Sequence, residues 1–245
     1  MRFKKNISLS IAMLLVVSLL AGALGPVTTS SGQESVSVSF AGGSGTEEDP
    51  YLIGNVNDLQ NMSDDLNAHY ELANDIDASE TSSWNGGEGF LPVGNLSEQF
   101  GGSLEGHGYT INGLYINRFE TNYVGIIGFM NNNATVTNVS LESADTTGNR
   151  SVGTLVGINF GGFVENSHAD GDVSGTNYTG GLMGANYGSL LGSSAMVNVN
   201  GTNNTGGLSG GNNGTISGSY AMGNVRGNMS VGGLVGWNKD TVEHS

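Results

Sequence analysis

The sequence predicts an all-β protein: a right-handed parallel β-helix, a solenoid, opened by a short N-terminal capping helix. Three observations carry that class. "YTGGLMGAN" at 178, "NTGGLSGGN" at 204 and "SVGGLVGWN" at 230 repeat at an offset of 26 residues, with "SVGTLVGIN" at 151 ahead of them. Apolar residues keep their places through the copies. Gly, Asn, Ser and Thr separate those residues, and no stretch of about ten shows the i, i+3, i+4, i+7 spacing of an amphipathic helix. Short strands at a fixed period describe coils that each lie on the last. The right hand follows from the general preference of parallel crossovers.

Residues 1–23 read as a signal peptide, with Arg2, Lys4 and Lys5, an apolar run from Ile7 to Leu20, and Ala21-Gly22-Ala23 before the cut. The run is short of the roughly 20 residues a membrane span needs, and no second run follows. The expected location is therefore secreted or cell surface, with no membrane span after the leader. Residues 24–45, rich in Ser, Gly and Thr, read as a linker. Residues 46–118 form the expected N-terminal cap and first coils. Within them 55–67, "NVNDLQNMSDDLN", places Val56, Leu59, Met62 and Leu66 at near-helical spacing behind an Asn55 cap, a helix suited to cover the open end of a solenoid. Phe100, Leu104, Tyr109, Ile111, Leu114 and Ile116 are expected to begin the stack.

Residues 119–245 hold the repeats, opening with a looser copy at Tyr123 and ending in an incomplete coil. Leu155, Leu182, Leu208 and Leu234 form one apolar column. Val164, Leu190, Ile216 and Val242 form a second. Ala169, Ala195 and Ala221, then Val173, Val199 and Val225, supply two more. Glycines at 180, 206 and 232 and at 184, 210 and 236 bracket the Leu-bearing strand and are expected to make tight or positive-φ corners. Asn159, Asn186, Asn212 and Asn238 suit left-handed corners or a ladder of stacked amides.

These units resemble the GLUG repeat, named for its Gly-Leu-x-Gly core, of large secreted and adhesin-like surface proteins of bacteria and archaea. The resemblance covers Tyr123 onward and implies a β-helical surface protein; it implies no reaction.

Composition narrows the partners. Once the leader is removed, Arg118, Arg150, Arg226 and Lys239 face 22 Asp plus Glu, so nucleic acid is not expected. Cys is zero, and stability must come from burial and backbone pairing. The densest polar group is "SHADGDV", where Asp170 and Asp172, with His168, would share a strand face as acid and base or as cation ligands. Their columns vary, with Asp170 over Met196 and Met222, which favours plain surface decoration. Asp75 and Asp77, with Glu80, form a second calcium candidate or simply acidic turn residues. No cofactor is otherwise expected. Asn61, Asn95, Asn133, Asn138, Asn149, Asn177, Asn203, Asn213 and Asn228 each begin a glycosylation triplet.

Three functions fit. The first is noncatalytic surface display or adhesion to a cell-surface or polysaccharide ligand. The second is a carbohydrate-active enzyme, a lyase or hydrolase, using Asp170 with Asp172 or Glu165. The third is a structural envelope component. An unfinished coil at Ser245 reads either as a piece of a longer protein or as an edge open to self-association.

Overall fold

In this computed structural model residues 40–245 are described; the expected leader and the linker as far as residue 39 lie outside them. The described residues form a parallel β-solenoid of about five turns. Sheet I carries eight strands, at Tyr51–Ile53, His69–Leu72, Ser103–Glu105, Thr135–Thr137, Phe163–Glu165, Ser189–Leu191, Thr215–Ser217 and Val242–Glu243. Sheet II includes Ser140–Thr147, His168–Ser174 and Ser194–Asn200. Sheet III runs through Arg150–Val152, Asn177–Gly180, Asn203–Gly206 and Met229–Gly232. Sheet IV runs through Ile127–Met130, Val156–Asn159, Met183–Asn186, Ser209–Asn212 and Val235–Asn238. Each repeat visits III, IV, I and II in that order.

The register bears out the columns. Leu104, Val136, Val164, Leu190, Ile216 and Val242 are successive partners along sheet I. Alternation along each short strand turns these toward the interior; Leu155, Leu182, Leu208, Val164, Leu190 and Ile216 are fully buried, while Val242 on the last described coil is 37% exposed. Each buried aliphatic side chain contributes about 1.5–3 kcal/mol of transfer free energy.

The glycines and asparagines act differently from the expectation. None of Gly180, Gly184, Gly206, Gly210, Gly232 and Gly236 has positive φ. They are glycine because another backbone presses on them: a Cβ on Gly184 would lie 2.3 Å from the Ser151 carbonyl carbon, and one on Gly210 2.3 Å from that of Tyr178. The left-handed corners belong to two other columns. One is Tyr123, Ser151, Tyr178, Asn204 and Ser230, at φ of 51–62°; the other is Asn138, Asn166, Gly192, Gly218 and His244, at 48–58°.

The asparagine column forms the amide ladder instead. Asn159 Nδ2 donates to Asn186 Oδ1 at 3.0 Å, Asn186 Nδ2 to Asn212 Oδ1 at 2.9 Å, and Asn212 Nδ2 to Asn238 Oδ1 at 2.8 Å. Asn159, Asn186 and Asn212 are buried, so each amide must find partners, and the neighbouring coil supplies them. At the ladder's first rung the preceding coil offers Met130, and Asn159 Oδ1 has no donor. A serine ladder runs alongside: Ser193 Oγ accepts from the Ser167 N–H at 3.1 Å, Ser219 Oγ from that of Ser193 at 3.1 Å, and Ser245 Oγ from that of Ser219 at 3.2 Å.

The N-terminal end departs further. Helix α1 spans Val56–Asn61 and passes into a 3₁₀ turn at Met62–Asp64, so it is shorter than 55–67. Asn55 Oδ1 caps it, accepting from the N–H groups of Asn57 and Asp58. Val56, Leu59 and Met62 are buried in the core beside Ile53, while Leu66 lies beyond the turn and is half-buried. Gln60 ties the helix to a later loop through both backbone polar groups of Leu91.

The stack starts earlier than expected, since Tyr51–Ile53 already pairs with Tyr70–Leu72. Tyr109 is exposed, whereas Phe100, Leu104, Ile111, Leu114 and Ile116 are buried. The expected linker also reaches too far: Phe40 stacks on Tyr51 at 4.4 Å and Gly42 bridges to Leu52, so 40–45 already pack on the first coil.

Candidate functional site

The richest polar cluster on the outer wall lies on the early strands of sheet I. In Ser103–Glu105 the middle residue, Leu104, points inward, which sends Ser103 and Glu105 outward. Glu105 sits in register with Glu71 on one side and Thr137 on the other. His107, held in the left-handed region in the following turn, brings Nε2 to 3.1 Å from Glu71 Oε2 and Nδ1 to 3.8 Å from Glu105 Oε1. Glu105 accepts from the His107 N–H, from Thr137 Oγ1 at 2.6 Å and from Asn138 Nδ2 at 2.9 and 3.1 Å. Partial burial pushes its carboxyl up, but these hydrogen bonds and the neighbouring imidazole outweigh burial and hold it below the usual glutamate range. His69 Nδ1 meets Ser103 Oγ at 2.8 Å just behind.

Shallow clefts of about 650 and 460 Å³ flank the cluster. A carboxylate that already receives this many donors is a weak base. The group's clearest work is to fasten three coils together. Sequence reasoning passed over it because Glu71, Glu105 and His107 come from coils before the regular repeat, so no column marks them.

The sequence-predicted residues are spread over other faces. His168, Asp170 and Asp172 alternate with Ala169 and Val173 and share the exposed face of sheet II, as expected; the extra residue that shifts the register here lies in the neighbouring strand, between Leu141 and Ala144. His168 Nδ1 pairs with Ser194 Oγ at 2.8 Å, and Asp172 Oδ1 accepts from Asn198 Nδ2 at 3.1 Å. The carboxylate in register with Asp172 is Asp145, one coil earlier. Desolvation, then the charge of Asp172, pushes Asp145 up. Asp170 faces Met196, and Glu165 has Thr137 and Leu191 beside it. A cleft of about 430 Å³ opens beside Asp172, Asn198, Asn224 and Arg226.

Asp75 and Asp77 do not converge on one point: Asp75 Oδ1 accepts from the Thr110 N–H and Asp77 Oδ1 from the Ser79 N–H. The hydrogen bonds from Ser79 hold Asp77 low. Glu80 takes a long contact from Asn57. Among the described residues no three His, Cys, Asp or Glu side chains come together as a metal site.

Of the sequon asparagines, Asn95, Asn133, Asn138 and Asn228 are exposed and Asn61, Asn149, Asn177, Asn203 and Asn213 half-buried. The Nδ2 that would carry a glycan is engaged by Glu105 at Asn138. At Asn177 and Asn203 the triplet threonines, Thr179 and Thr205, are buried.

No protein-family model matches this chain. It is 40% identical over 141 residues, 55% of its length, to Halomucin of Haloquadratum walsbyi, and those residues make up 2% of Halomucin. It is also 40% identical over 137 residues, 54% of its length, to a protein of Evansella cellulosilytica provisionally described as a Gly-rich membrane protein, of which they make up 16%. The chain thus spans a small part of these relatives. Among solved structures it resembles a Bacteroides ovatus protein provisionally described as an immunoglobulin A1 protease, with a TM-score of 0.65 and 22% identity over 82% of this chain and 66% of that one, a likeness of fold. Among the described residues no helix is long and apolar enough to cross a membrane.

Proposed function

We propose that this chain is the solenoid part of an exported surface protein whose outer wall serves display and adhesion rather than catalysis. One observation carries the reading: the inward side chains repeat more strictly than the outward ones. On sheet II, Ala169, Ala195 and Ala221 share a column beneath His168, Ser194 and Tyr220 and beside Asp170, Met196 and Met222. A scaffold of this kind tolerates change on its wall because the energy of stacking lies in the interior and the backbone ladders. The name of Halomucin and the description of the Evansella protein support a surface location, as does the resemblance to GLUG repeats. Protease treatment of intact source cells, followed by immunoblotting, tests location, and attachment of purified chain to those cells tests adhesion. Protection of the chain until lysis, with no retention of added protein, would end this reading.

A second reading, a carbohydrate-active enzyme, draws on the Asp145–Asp172 pair, in which one carboxyl is raised beside another on an exposed face. It is tested by hydrolysis of neutral and acidic polysaccharides by the parent and by Asp145→Asn and Asp172→Asn. Equal product release from all three removes it.

A further inference from the structure

We infer that the outer wall at sheet IV, from the sheet III strands before it to the turn that leaves it, is a binding strip for a neutral polysaccharide, recognised by stacking of its sugar rings on aromatic side chains. This deepens the adhesive reading by giving one ligand chemistry to one face.

Three aromatic rings climb the solenoid, one per coil. Phe129, Phe160 and Tyr187 have centroids 5.9 and 6.0 Å apart, tilted by 45° and 50°. Tyr123 meets Phe129 edge-on at 5.4 Å. Phe160 is 54% exposed and Tyr187 39%, although Phe129 beneath them is buried. An isolated exposed aromatic needs no explanation, but successive rings in contact along one wall form a ridge. A groove of about 280 Å³ runs beside it, bounded across by Leu96, Tyr123, Arg150 and Tyr178.

The backbone gives a second, independent observation. Tyr123 and Tyr178 occupy a left-handed column, at φ of 62° and 54°, whose other members are Ser151, Asn204 and Ser230. A bulky side chain is strained there, and strain that a small polar residue would lessen points to a use for the side chain. Room is made for one of these rings: a Cβ on Gly211 would lie 2.7 Å from Tyr178 Cδ1. Arg150 lies over that ring, its guanidinium 5.6 Å from the centroid.

Charge selects the occupant. The chain carries a net charge of −15, and the groove's one cation, Arg150, rests on Tyr178. Acidic polysaccharides, anionic lipid and a second copy of this acidic chain are all disfavoured by like charge. A neutral chain of hexopyranose rings offers apolar C–H faces to Phe160 and Tyr187 and hydroxyls to Arg150 and the Tyr178 phenol, which is how aromatic residues with a polar tip bind amphipathic ligands.

Affinity electrophoresis in gels containing hydroxyethylcellulose, glucomannan, galactomannan or, for contrast, hyaluronan tests this with the folded chain. Retardation by at least one neutral polymer and none by hyaluronan is expected. The dissociation constant should rise at least tenfold in Phe160→Ala/Tyr187→Ala and stay within twofold in Tyr220→Ala, an aromatic 50% exposed on sheet II. Circular dichroism of the double variant, whose two sites are exposed, confirms folding. No retardation by any neutral polymer, equal retardation of parent and double variant, or a parent dimer that the double variant abolishes overturns the inference. Cell attachment that survives the double substitution overturns it while leaving adhesion by another face intact.

Discussion

Replacing Asn186 by Ala should reveal how much the interior amide ladder holds. Asn186 is fully buried and belongs to two rungs, accepting from Asn159 Nδ2 at 3.0 Å and donating to Asn212 Oδ1 at 2.9 Å. Its Nδ2 also reaches the Thr215 carbonyl at 3.1 Å, and its Oδ1 takes the Gly188 N–H at 3.2 Å. Alanine removes these four and the 3.3 Å bond from Nδ2 to the Gly188 carbonyl. Some abandoned partners keep an alternative: Asn159 Nδ2 retains the Gly162 carbonyl, and Asn212 Oδ1 retains the Gly214 N–H. With about 1 kcal/mol for each buried hydrogen bond, and somewhat more for a group left unpaired, the expected loss is about 3 kcal/mol. A urea midpoint read by far-ultraviolet circular dichroism should fall by about 1 M, taking a slope of roughly 2–3 kcal/mol/M. The matched control is Asn198→Ala on the exposed wall, where Asn198 donates to Asp172 and accepts from Asn224 in the same coil-to-coil manner. Water replaces those bonds, so the loss there should stay within about 0.5 kcal/mol. Equal shifts for the two variants would refute the claim that the buried ladder carries stability.

Gly210→Ala should cost roughly 3 kcal/mol or more by thermal unfolding, because its methyl meets the Tyr178 backbone, which cannot move without shifting a neighbouring coil; a midpoint near that of the parent would show that the coils can part. Leu208→Ala should lose about 2–5 kcal/mol through lost burial and the cavity left between Leu182 and Leu234, and a double substitution with Leu182→Ala should depart from additivity. Glu105 titrates low in the fold, so its hydrogen bonds add stability that is complete above pH 4.5, the ordinary glutamate value, and is lost as pH falls through the lower folded value. Glu105→Gln should therefore flatten the acid limb of a stability-against-pH curve measured by urea unfolding, and an unchanged limb would count against this assignment. Gln60→Ala should loosen α1 from the Leu91 loop, seen as faster amide exchange from Val56 to Asn61, while exchange in the Ser194–Asn200 strand stays as before.

The repeat was legible because a parallel stack puts the same demand on the same column in every coil. Leu155, Leu182 and Leu208 could be aligned by eye, and alignment fixed both their burial and their register. The role of a glycine was less legible: a residue without a Cβ is equally suited to a left-handed corner and to a backbone pressed against it, and composition does not separate the two at Gly184 or Gly210. The corner column itself was hidden, because Tyr123, Ser151 and Tyr178 are not residues that announce positive φ. Before residue 119 the spacing between sheet I partners is irregular, with Tyr70 opposite Leu104 and Ser103 opposite Thr135. The insertion carrying the 3₁₀ segment Ser79–Gly87 breaks the period there, so Glu71, Glu105 and His107 could not be brought together from the sequence. The aromatic strip was hidden for a related reason. Phe129, Phe160 and Tyr178 come from three different columns and meet only when the coil closes.

Every amide of the interior ladder donates in the same sense, from Asn159 toward Asn238. Side-chain dipoles that point alike add along the axis, which gives the solenoid a head and a tail electrically as well as geometrically. A coil duplicated in frame could slip between its parents, since its upper surface matches every lower one, whereas an inverted coil would set two NH₂ groups face to face. Length can therefore change by whole turns without any new contact having to evolve, but the direction of travel stays fixed.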